Sequence, residues 1–388
     1  MLAAVGPGSR TDAWVAALAV PQLLVAVAAD ASAGALVPLL AARDGADRDR
    51  PAWAFALLAG VASGALAALL AASAGSWVRL LVPGFGSEAR ELTARLVRIA
   101  LPGMVLAVLA AVLAAVGRAR RRHARVEAAS PLSSAIGLAV LAVGLPRHGI
   151  VAAAWAYVVR MAVRTALLAP LLGPWRGLGG SRPALAEAWR RIRPLAAGSF
   201  FFKTDLLVDR LLSSMSAAGA LTLLSLAQQI YGAAAQILSR SLVAPLAPEL
   251  AELATSGDAA EFGRRYRSRA RWMAGASAAA ALVAVAGAGF APGRFAALSP
   301  ILALLAGVLV FGGLGEVTAS AFFARGDTRT PTRIGAAVYA ACLPVKVGAY
   351  FAFGVPGLAA TASLALGLAF ALGWRALASR TGPADPRP

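Results

Sequence analysis

The chain has 388 residues, of which 59% are hydrophobic and 14% are charged, and its mean hydropathy is +0.72. This composition excludes a soluble globular domain and is typical of a membrane protein with many spans. Lone Cys342 excludes a disulfide framework and a cysteine-based metal site. We interpret the net charge of +19 as arginines that flank membrane spans, so no nucleic-acid partner is expected.

Eleven apolar runs are each near the roughly 20 residues that a helix needs to cross about 30 Å of hydrocarbon. They predict an all-α polytopic membrane protein, with a short amphipathic helix at 184–193 along the interface. Pro21 and Pro38 are predicted to kink the first span, and Pro245 and Pro248 the seventh. The predicted spans are 12–41, 53–83, 92–117, 131–146, 150–172, 194–216, 219–249, 271–290, 297–323, 332–352 and 356–378.

Arginines are distributed unevenly between alternate loops. The loops on one side carry 21 arginines, and those on the other side carry Arg90, Arg147 and Arg294. Because basic residues stay on the cytoplasmic side of a membrane, the C-terminus, with Arg380 and Arg387, is predicted inside and the N-terminus outside. The arginine-rich loops are 43–50, 118–125, 173–193, 253–271 and 325–333.

The two halves of the chain contain similar segments at nearly the same offset. "LVPLLA" at 36–41 resembles "LVAPLAPELA" at 242–251, and the segment at 148–167 resembles that at 356–377. This pattern predicts two parallel-repeat helical lobes that enclose a cavity and rock against each other, which makes transport the default function. The predicted domains are an N-terminal lobe of five spans (1–172), a cytoplasmic linker with the amphipathic helix (173–193), a C-terminal lobe of six spans (194–379) and a cytoplasmic tail (380–388).

Several charged and polar residues lie at membrane depth. "FFFKTDLLVDRLLSSM" at 200–215 places Lys203, Asp205, Asp209 and Arg210 inside an apolar helix. Charges in a membrane face a cavity or pair with one another, so two interpretations stay open: ion pairs within the lobe, or contact with cargo and ions in a central cavity. The further candidates for that cavity are Asp12, Gln22, Asp30, Arg160, Arg164, Gln228, Gln229 and Arg240.

Some of these residues have simpler alternative roles. Arg160 and Arg164 form one helical stripe that could bind phosphate, or they could snorkel to an interface. Gln229 could instead bond a neighbouring helix, and Lys346, near a helix end, is predicted to snorkel. Glu316 is a candidate for coupling transport to an ion gradient, or for pairing with a basic residue across the bundle.

Three segments carry a resemblance to a known family. They are "SRTDAWVAALAVPQLL" at 9–24, "LVPGFGSEARELTARLVRIALPG" at 81–103 and "FFARGDTRTPTRIGAAV" at 322–338. They resemble the MurJ/MviN branch of the multidrug/oligosaccharidyl-lipid/polysaccharide (MOP) exporter superfamily. The resemblance covers nearly the whole chain and implies a V-shaped fold of two helical lobes. It also implies a flippase for lipid II and a chain that lacks the family's first helix.

The sequence departs from the family pattern at positions that the resemblance assigns to pyrophosphate binding. The family's two basic residues after "PNLL" correspond to Val25 and Ala26, although the nearby carboxylate is retained as Asp30. Gln229 stands where the family has an arginine. These differences leave a flippase architecture in place and put the identity of the cargo in question.

The sequence therefore predicts a non-enzymatic flippase in the bacterial cytoplasmic membrane. It would move an undecaprenyl-pyrophosphate-linked saccharide by alternating access, without a cofactor, with coupling to a cation gradient or the membrane potential as one option. Its expected partners are the lipid-linked anionic saccharide, membrane lipids and cell-wall synthesis proteins. The alternatives are an exporter of polysaccharide repeat units or drugs from the same superfamily, a degenerate scaffold, and a membrane-embedded transferase. No catalytic constellation supports the transferase, because the one acidic cluster, "DGADRD" at 44–49, lies in an arginine-rich loop.

Overall fold

The computed structural model describes residues 5–379, except for the side chain of Ala46. The predicted cytoplasmic tail at 380–388 lies outside the described residues, as do Arg380 and Arg387. Over the described range the chain is almost entirely helical and has no strand, which confirms the all-α fold class. It divides into two compact units between Gly219 and Ala220.

Between Ser9 and Ser213 the first unit has eight α-helices. A 3-10 turn at Ala169–Leu172 follows the seventh of them. The helices are α1 (Ser9–Ala17), α2 (Ala19–Ala41), α3 (Gly45–Ala72), α4 (Ala74–Leu81), α5 (Ser87–Ala119), α6 (His123–His148), α7 (Val151–Leu168) and α8 (Arg182–Ser213).

Between Ala220 and Ala378 the second unit has six α-helices. A π-helical segment at Ser239–Val243 follows the first of them, and a 3-10 turn at Gly293–Phe295 precedes the fourth. The helices are α9 (Ala220–Leu238), α10 (Leu246–Ser256), α11 (Ala259–Gly289), α12 (Leu298–Ala324), α13 (Arg329–Phe353) and α14 (Val355–Ala378).

Prolines account for two of the helix breaks. Pro21 has no N–H to donate to the carbonyl one turn before it, and the chain breaks at Leu18 between α1 and α2. Pro38, in contrast, is accommodated within α2. Before Pro245 the helix widens into the π-helical segment and then restarts as α10. The structure therefore has helix breaks near Pro21 and Pro245, and Pro248 lies in the first turn of α10.

Nine helical segments within the described residues are long and apolar enough to cross a membrane, and they coincide with nine of the eleven predicted spans. The predicted spans at 194–216 and 219–249 are not among the segments that are long and apolar enough. Their helices, α8 and α9, carry charged residues and glutamines that reduce the apolar character. These two spans stay predictions.

The predicted amphipathic helix at 184–193 is wrong as a separate element. α8 runs without interruption from Arg182 to Ser213, and Pro194 lies inside it. α8 packs along α2 and so belongs to the first unit. The predicted division into repeated lobes, with the second beginning at residue 194, stays a prediction.

Each unit is built around one central helix. In the first unit α5 packs against α2, α3 and α7, with Leu101 and Met104 fully buried along it. In the second unit α12 packs against α11 and α14, and Val317 and Phe322 lie in its core. Burying this apolar surface inside each unit fixes the rotation of the surrounding helices, and this rotation decides which side chains share a cavity.

Candidate functional site

A cavity of about 260 Å³ lies among α2, α5 and α7 of the first unit. Arg118, Arg160 and Arg164 line it, and we call it the arginine pocket. From α7 it receives Tyr157, Arg160 and Arg164, which are spaced by three and four residues and so lie on one helical face. The predicted stripe of Arg160 and Arg164 is thus present and faces a cavity.

The other two walls of the arginine pocket consist mostly of small side chains. α5 contributes alanines at helical spacing, including Ala107 and Ala111, and Arg118 in its last turn. α2 contributes Val25 and Ala26, and Gln22 lies one turn before them. The small residues of α2 and α5 leave space between the helices, and the long side chains of α7 extend into this space. The structure thereby brings predicted Gln22 together with Arg160 and Arg164.

Two glycines allow α7 to approach its neighbours at this level. A Cβ added at Gly103 of α5 would lie 2.7 Å from the Tyr157 ring, and one at Gly137 of α6 would lie 2.9 Å from Cβ of Arg160. Thr165 Oγ1 also donates a hydrogen bond of 2.8 Å to the carbonyl oxygen of Leu106 on α5. These contacts hold α7 against both α5 and α6.

Positive charge in the arginine pocket exceeds the nearby negative charge. Arg118 approaches Glu127 only to 3.9 Å, and both of these side chains are partly exposed. Within the described residues, neither Arg160 nor Arg164 forms an ion pair, and Nε of Arg164 is buried without a hydrogen-bond partner. Because a guanidinium at membrane depth is costly unless it is paired or solvated, this arrangement favours an anionic group in the pocket.

The predicted cavity charges on α8, which lie between Lys203 and Arg210, fall into two groups. Lys203 forms an ion pair of 3.0 Å with Asp30 of α2, and Ser199 donates a hydrogen bond of 2.7 Å to the same carboxylate oxygen. This contact agrees with the ion-pair interpretation for Lys203. Asp205 is half-buried on the same helix.

The second group is deeply buried. Asp209 and Arg210 are each 4% exposed and Asp12 of α1 is 3% exposed. Both carboxylates attract the Arg210 charge, and Oδ2 of Asp12 accepts a hydrogen bond of 2.5 Å from the backbone N–H of Gly219. This burial indicates that the group joins α1, α8 and the following turn within the first unit.

The remaining candidates lie in the second unit. Gln228 is half-buried on α9, and Arg240 lies exposed in the π-helical segment. Nε2 of Gln229 donates a hydrogen bond of 3.2 Å to Ser225 on its own helix, so the predicted bond to a neighbouring helix is not the contact found. Lys346 is 4% exposed, and its predicted snorkelling is wrong.

Glu316 lines a separate cleft of about 380 Å³ among α12, α13 and α14. Its side chain is exposed and forms no ion pair among the described residues, so the predicted pairing across the bundle is not found. The stacked rings of Phe311 and Phe370, with centroids 6.3 Å apart, line the same cleft. The cleft therefore combines one carboxylate with aromatic walls.

No group of three or more histidine, cysteine, aspartate or glutamate side chains in the described range could hold a metal ion. The polar groups of the arginine pocket are instead donors, which suit an anion. Sequence reasoning had not connected Arg118 or Tyr157 with this pocket. The only signal for Arg118 was its helical spacing from Ala111 and Ala107, because it also begins an arginine-rich loop.

The family model of the lipid II flippase MurJ matches residues 1–386, which is almost the whole chain. The chain belongs to the lipid II flippase MurJ family. It is therefore a multi-pass membrane protein of a family of transporters rather than of enzymes. No curated protein matches its sequence.

Solved structures show the fold that the MurJ family chain shares with others of the MOP superfamily. It is similar to a lipid II flippase MurJ in an inward closed conformation, with a TM-score of 0.83, 15% identity, and coverage of 96% of this chain and 82% of that one. It is equally similar to an inward-facing multidrug resistance MATE family transporter of the MOP superfamily, with a TM-score of 0.83, 18% identity, and 96% and 91% coverage. A MOP superfamily transporter from Pyrococcus furiosus, whose title describes a binding pocket of reverse polarity, has a TM-score of 0.63, 17% identity, and 95% and 91% coverage.

The departure of this MurJ family chain from the family pattern lies inside the arginine pocket. Val25 and Ala26, which stand where the resemblance places two basic residues, line the same cavity as Arg160 and Arg164. The guanidinium groups of the pocket therefore come from α5 and α7, and α2 contributes none.

Proposed function

We propose that the chain flips an undecaprenyl-pyrophosphate-linked saccharide, a lipid II-like peptidoglycan precursor, across the bacterial cytoplasmic membrane by alternating access. The observation that carries the proposal is the arginine pocket, in which Arg118, Arg160 and Arg164 surround one cavity. Membership of the MurJ family supports a lipid-linked cargo. The arginine distribution supports an N-terminus outside and a C-terminus inside.

The pocket is suited to the phosphate part of such a cargo. A guanidinium donates two parallel hydrogen bonds to one anion, and Arg remains charged at membrane depth. The cavity, at about 260 Å³, is below the roughly 300–1,000 Å³ of sites for drug-sized ligands, so it would hold a diphosphate and not the attached saccharide. Gln22 and Tyr157 add neutral polar groups at its edge.

Transport in this proposal needs no cofactor. The exposed carboxylate of Glu316 in the second unit is the group we propose for coupling to a cation gradient or to the membrane potential. A cation would bind at Glu316 in the second unit, and the anionic cargo would bind in the arginine pocket of the first unit. Each unit would then respond to a different ligand. Membrane lipids and cell-wall synthesis proteins are the partners that such a cycle implies.

A flipping assay tests the proposal. The purified chain is reconstituted in liposomes, and movement of a fluorescent undecaprenyl-pyrophosphate-linked saccharide between leaflets is timed. We expect Arg160→Gln/Arg164→Gln to slow flipping about tenfold or more, because each hydrogen bond to a charged group contributes about 1.5–3 kcal/mol. A matched control, Arg190→Gln/Arg193→Gln, removes two exposed charges from α8 and should change the rate by about twofold or less.

Complementation of a strain depleted of its lipid II flippase provides the cellular measurement. The wild-type chain and the α8 control should restore growth, and the pocket variant should not. If the pocket variant flips the probe at the wild-type rate, the arginines do not hold its phosphate and the proposal fails.

The Glu316 cleft favours a second candidate function, export of an apolar organic cation. A carboxylate beside stacked aromatic rings is the arrangement that attracts such cations. If liposomes take up tetraphenylphosphonium, and Glu316→Gln abolishes uptake while the Arg160→Gln/Arg164→Gln variant retains it, this candidate replaces lipid flipping.

A further inference from the structure

A second basic site lies at the end of α5, outside the arginine pocket. Residues 118–125 read "RARRRHAR", and a groove of about 560 Å³ opens there. Arg121, Arg122 and His123 line it and are exposed, and Pro170 and Leu171 form an apolar wall. We call this cavity the basic groove.

Two further arginines of the basic groove are held in place by the protein. Nη2 of Arg120 donates to the carboxylate of Asp49 and, at 2.8 Å, to the carbonyl oxygen of Leu172. Nε of Arg125 donates at 3.1 Å to the carbonyl oxygen of Leu167. The side chains of Arg121 and Arg122, in contrast, form no ion pair or hydrogen bond with any described residue. Hydrogen bonds thus fix Arg120 and Arg125 at the groove, whereas Arg121 and Arg122 are available to a ligand.

Arg121 occupies a backbone position where glycine is usual. The N–H of Arg122 donates to the carbonyl oxygen of Gly117 at 2.9 Å, and the N–H of Arg121 to that of Arg118 at 3.0 Å. This pair of bonds closes α5 as a Schellman motif, whose left-handed residue is commonly glycine. Arg121 has φ of 57° and is the only non-glycine residue with positive φ in the described range. An arginine in an unfavourable conformation points to a use for its side chain.

We propose that the basic groove binds the phosphate group of an anionic membrane lipid. The groove lies where α5 ends and α6 begins, and the arginine distribution assigns this part of the chain to the cytoplasmic surface, at the level of lipid head groups. The forks of Arg121 and Arg122 match a phosphate, and exposed Pro170 gives apolar contact to the part of the lipid below it. This site does not depend on the cargo of the arginine pocket.

The competing explanation is that these arginines only orient the chain in the membrane. Orientation needs positive charge on one side, and it needs neither a groove nor a particular backbone conformation. The two explanations predict different lipid affinities. Only a binding site makes Arg121 and Arg122 contribute more to this affinity than other arginines on the same side of the membrane.

Binding of short-chain phosphatidic acid to the purified full-length chain in neutral detergent tests the proposal, with phosphatidylcholine as the reference lipid. The groove variant is Arg121→Gly/Arg122→Gln, and the matched control is Arg190→Gln/Arg193→Gln, which removes the same charge from α8. We expect the groove variant to bind phosphatidic acid about fivefold more weakly or worse, because charge-assisted bonds to phosphate are lost. The control should change affinity by about twofold or less, because charges outside the site act only through the screened surface potential.

The single variant Arg121→Gly separates binding from folding. Glycine fits the left-handed position without strain, so the thermal stability of this variant should equal or exceed that of the wild type while its affinity for phosphatidic acid falls. Equal losses in the groove variant and the control, or no loss in the groove variant, would overturn the proposal.

Two further binding measurements identify the ligand and show whether the basic groove binds independently of the arginine pocket. Inorganic phosphate at the same concentration should compete weakly, and full competition would assign the groove to a soluble phosphate and overturn the lipid assignment. Arg160→Gln/Arg164→Gln should bind phosphatidic acid as the wild type does. The groove can therefore be confirmed even if the flipping proposal fails.

Discussion

Burial decides what each charge on α8 contributes to stability. The side chains of Lys203 and Asp30 are 33% and 54% exposed and form an ion pair at 3.0 Å. Arg210 and Asp209 are each only 4% exposed. An exposed ion pair contributes about 0–1 kcal/mol, whereas removing one member of a buried charged group costs about 3–5 kcal/mol, because the remaining charge is left uncompensated.

Substituting Arg210 or Lys203 of α8 by methionine should therefore have unequal effects. We expect Arg210→Met to lower the free energy of unfolding by about 3–5 kcal/mol, because Asp209 and Asp12 lose the charge that attracts them. Lys203→Met, a matched control on the same helix, should lower it by less than about 1 kcal/mol. Denaturation of the purified protein in mixed micelles measures both, and equal losses would contradict the assignment of Arg210 to a buried charged group.

At the scale of helices, the arginine pocket depends on how closely α5 and α7 approach. A Cβ at Gly103 would meet the Tyr157 ring at 2.7 Å and the backbone of Val158 at 3.3 Å. Gly64 of α3, in contrast, has nothing within 4 Å of the position where a Cβ would lie. The two glycines therefore form a pair in which the same substitution should have opposite effects.

We expect Gly103→Ala to destabilise the protein by about 1–3 kcal/mol, because overpacking forces Tyr157 and α7 to shift. Since Tyr157 lines the arginine pocket, the rate at which the protein flips the lipid-linked saccharide should fall as well. Gly64→Ala should stabilise the protein by up to about 1 kcal/mol, because alanine loses less backbone entropy than glycine in a helix. Thermal denaturation and the flipping assay report both effects, and a stabilising Gly103→Ala would show that α5 and α7 are not in close contact.

The helices could largely be predicted from the sequence, and the site only in part. Apolar runs of span length fix where helices lie, so nine predicted spans coincide with span-length apolar helices. The continuity of α8 could not be predicted, because the arginines before Pro194 are typical of an interfacial helix. The stripe of Arg160 and Arg164 follows from helical periodicity. The presence of Arg118 in the same cavity depends on how α5 is rotated against α7. Side-chain packing sets this rotation, and the helical periodicity of the sequence does not encode it.

At the scale of the whole molecule, the two units offer ligands opposite charges. Arginines line the pocket of the first unit, and a carboxylate beside aromatic rings lines the cleft of the second. An anionic cargo and a cation would then bind in different units. Separate sites are compatible with coupled transport, because each ligand can bias the same conformational equilibrium from its own site.

Any such cycle needs a defined orientation in the membrane, and the arginine distribution predicts one. The loop at 173–193 carries five arginines and should be cytoplasmic, whereas the short connection around Arg147 should be outside. In a Cys342→Ser background, exposed His148 and Gly179 provide labelling positions on the two predicted sides. We expect His148→Cys to react with a membrane-impermeant maleimide in intact cells, and Gly179→Cys to react only after the membrane is permeabilised. The reverse pattern would place the basic groove outside the cell, away from the leaflet from which a newly made lipid-linked precursor must start.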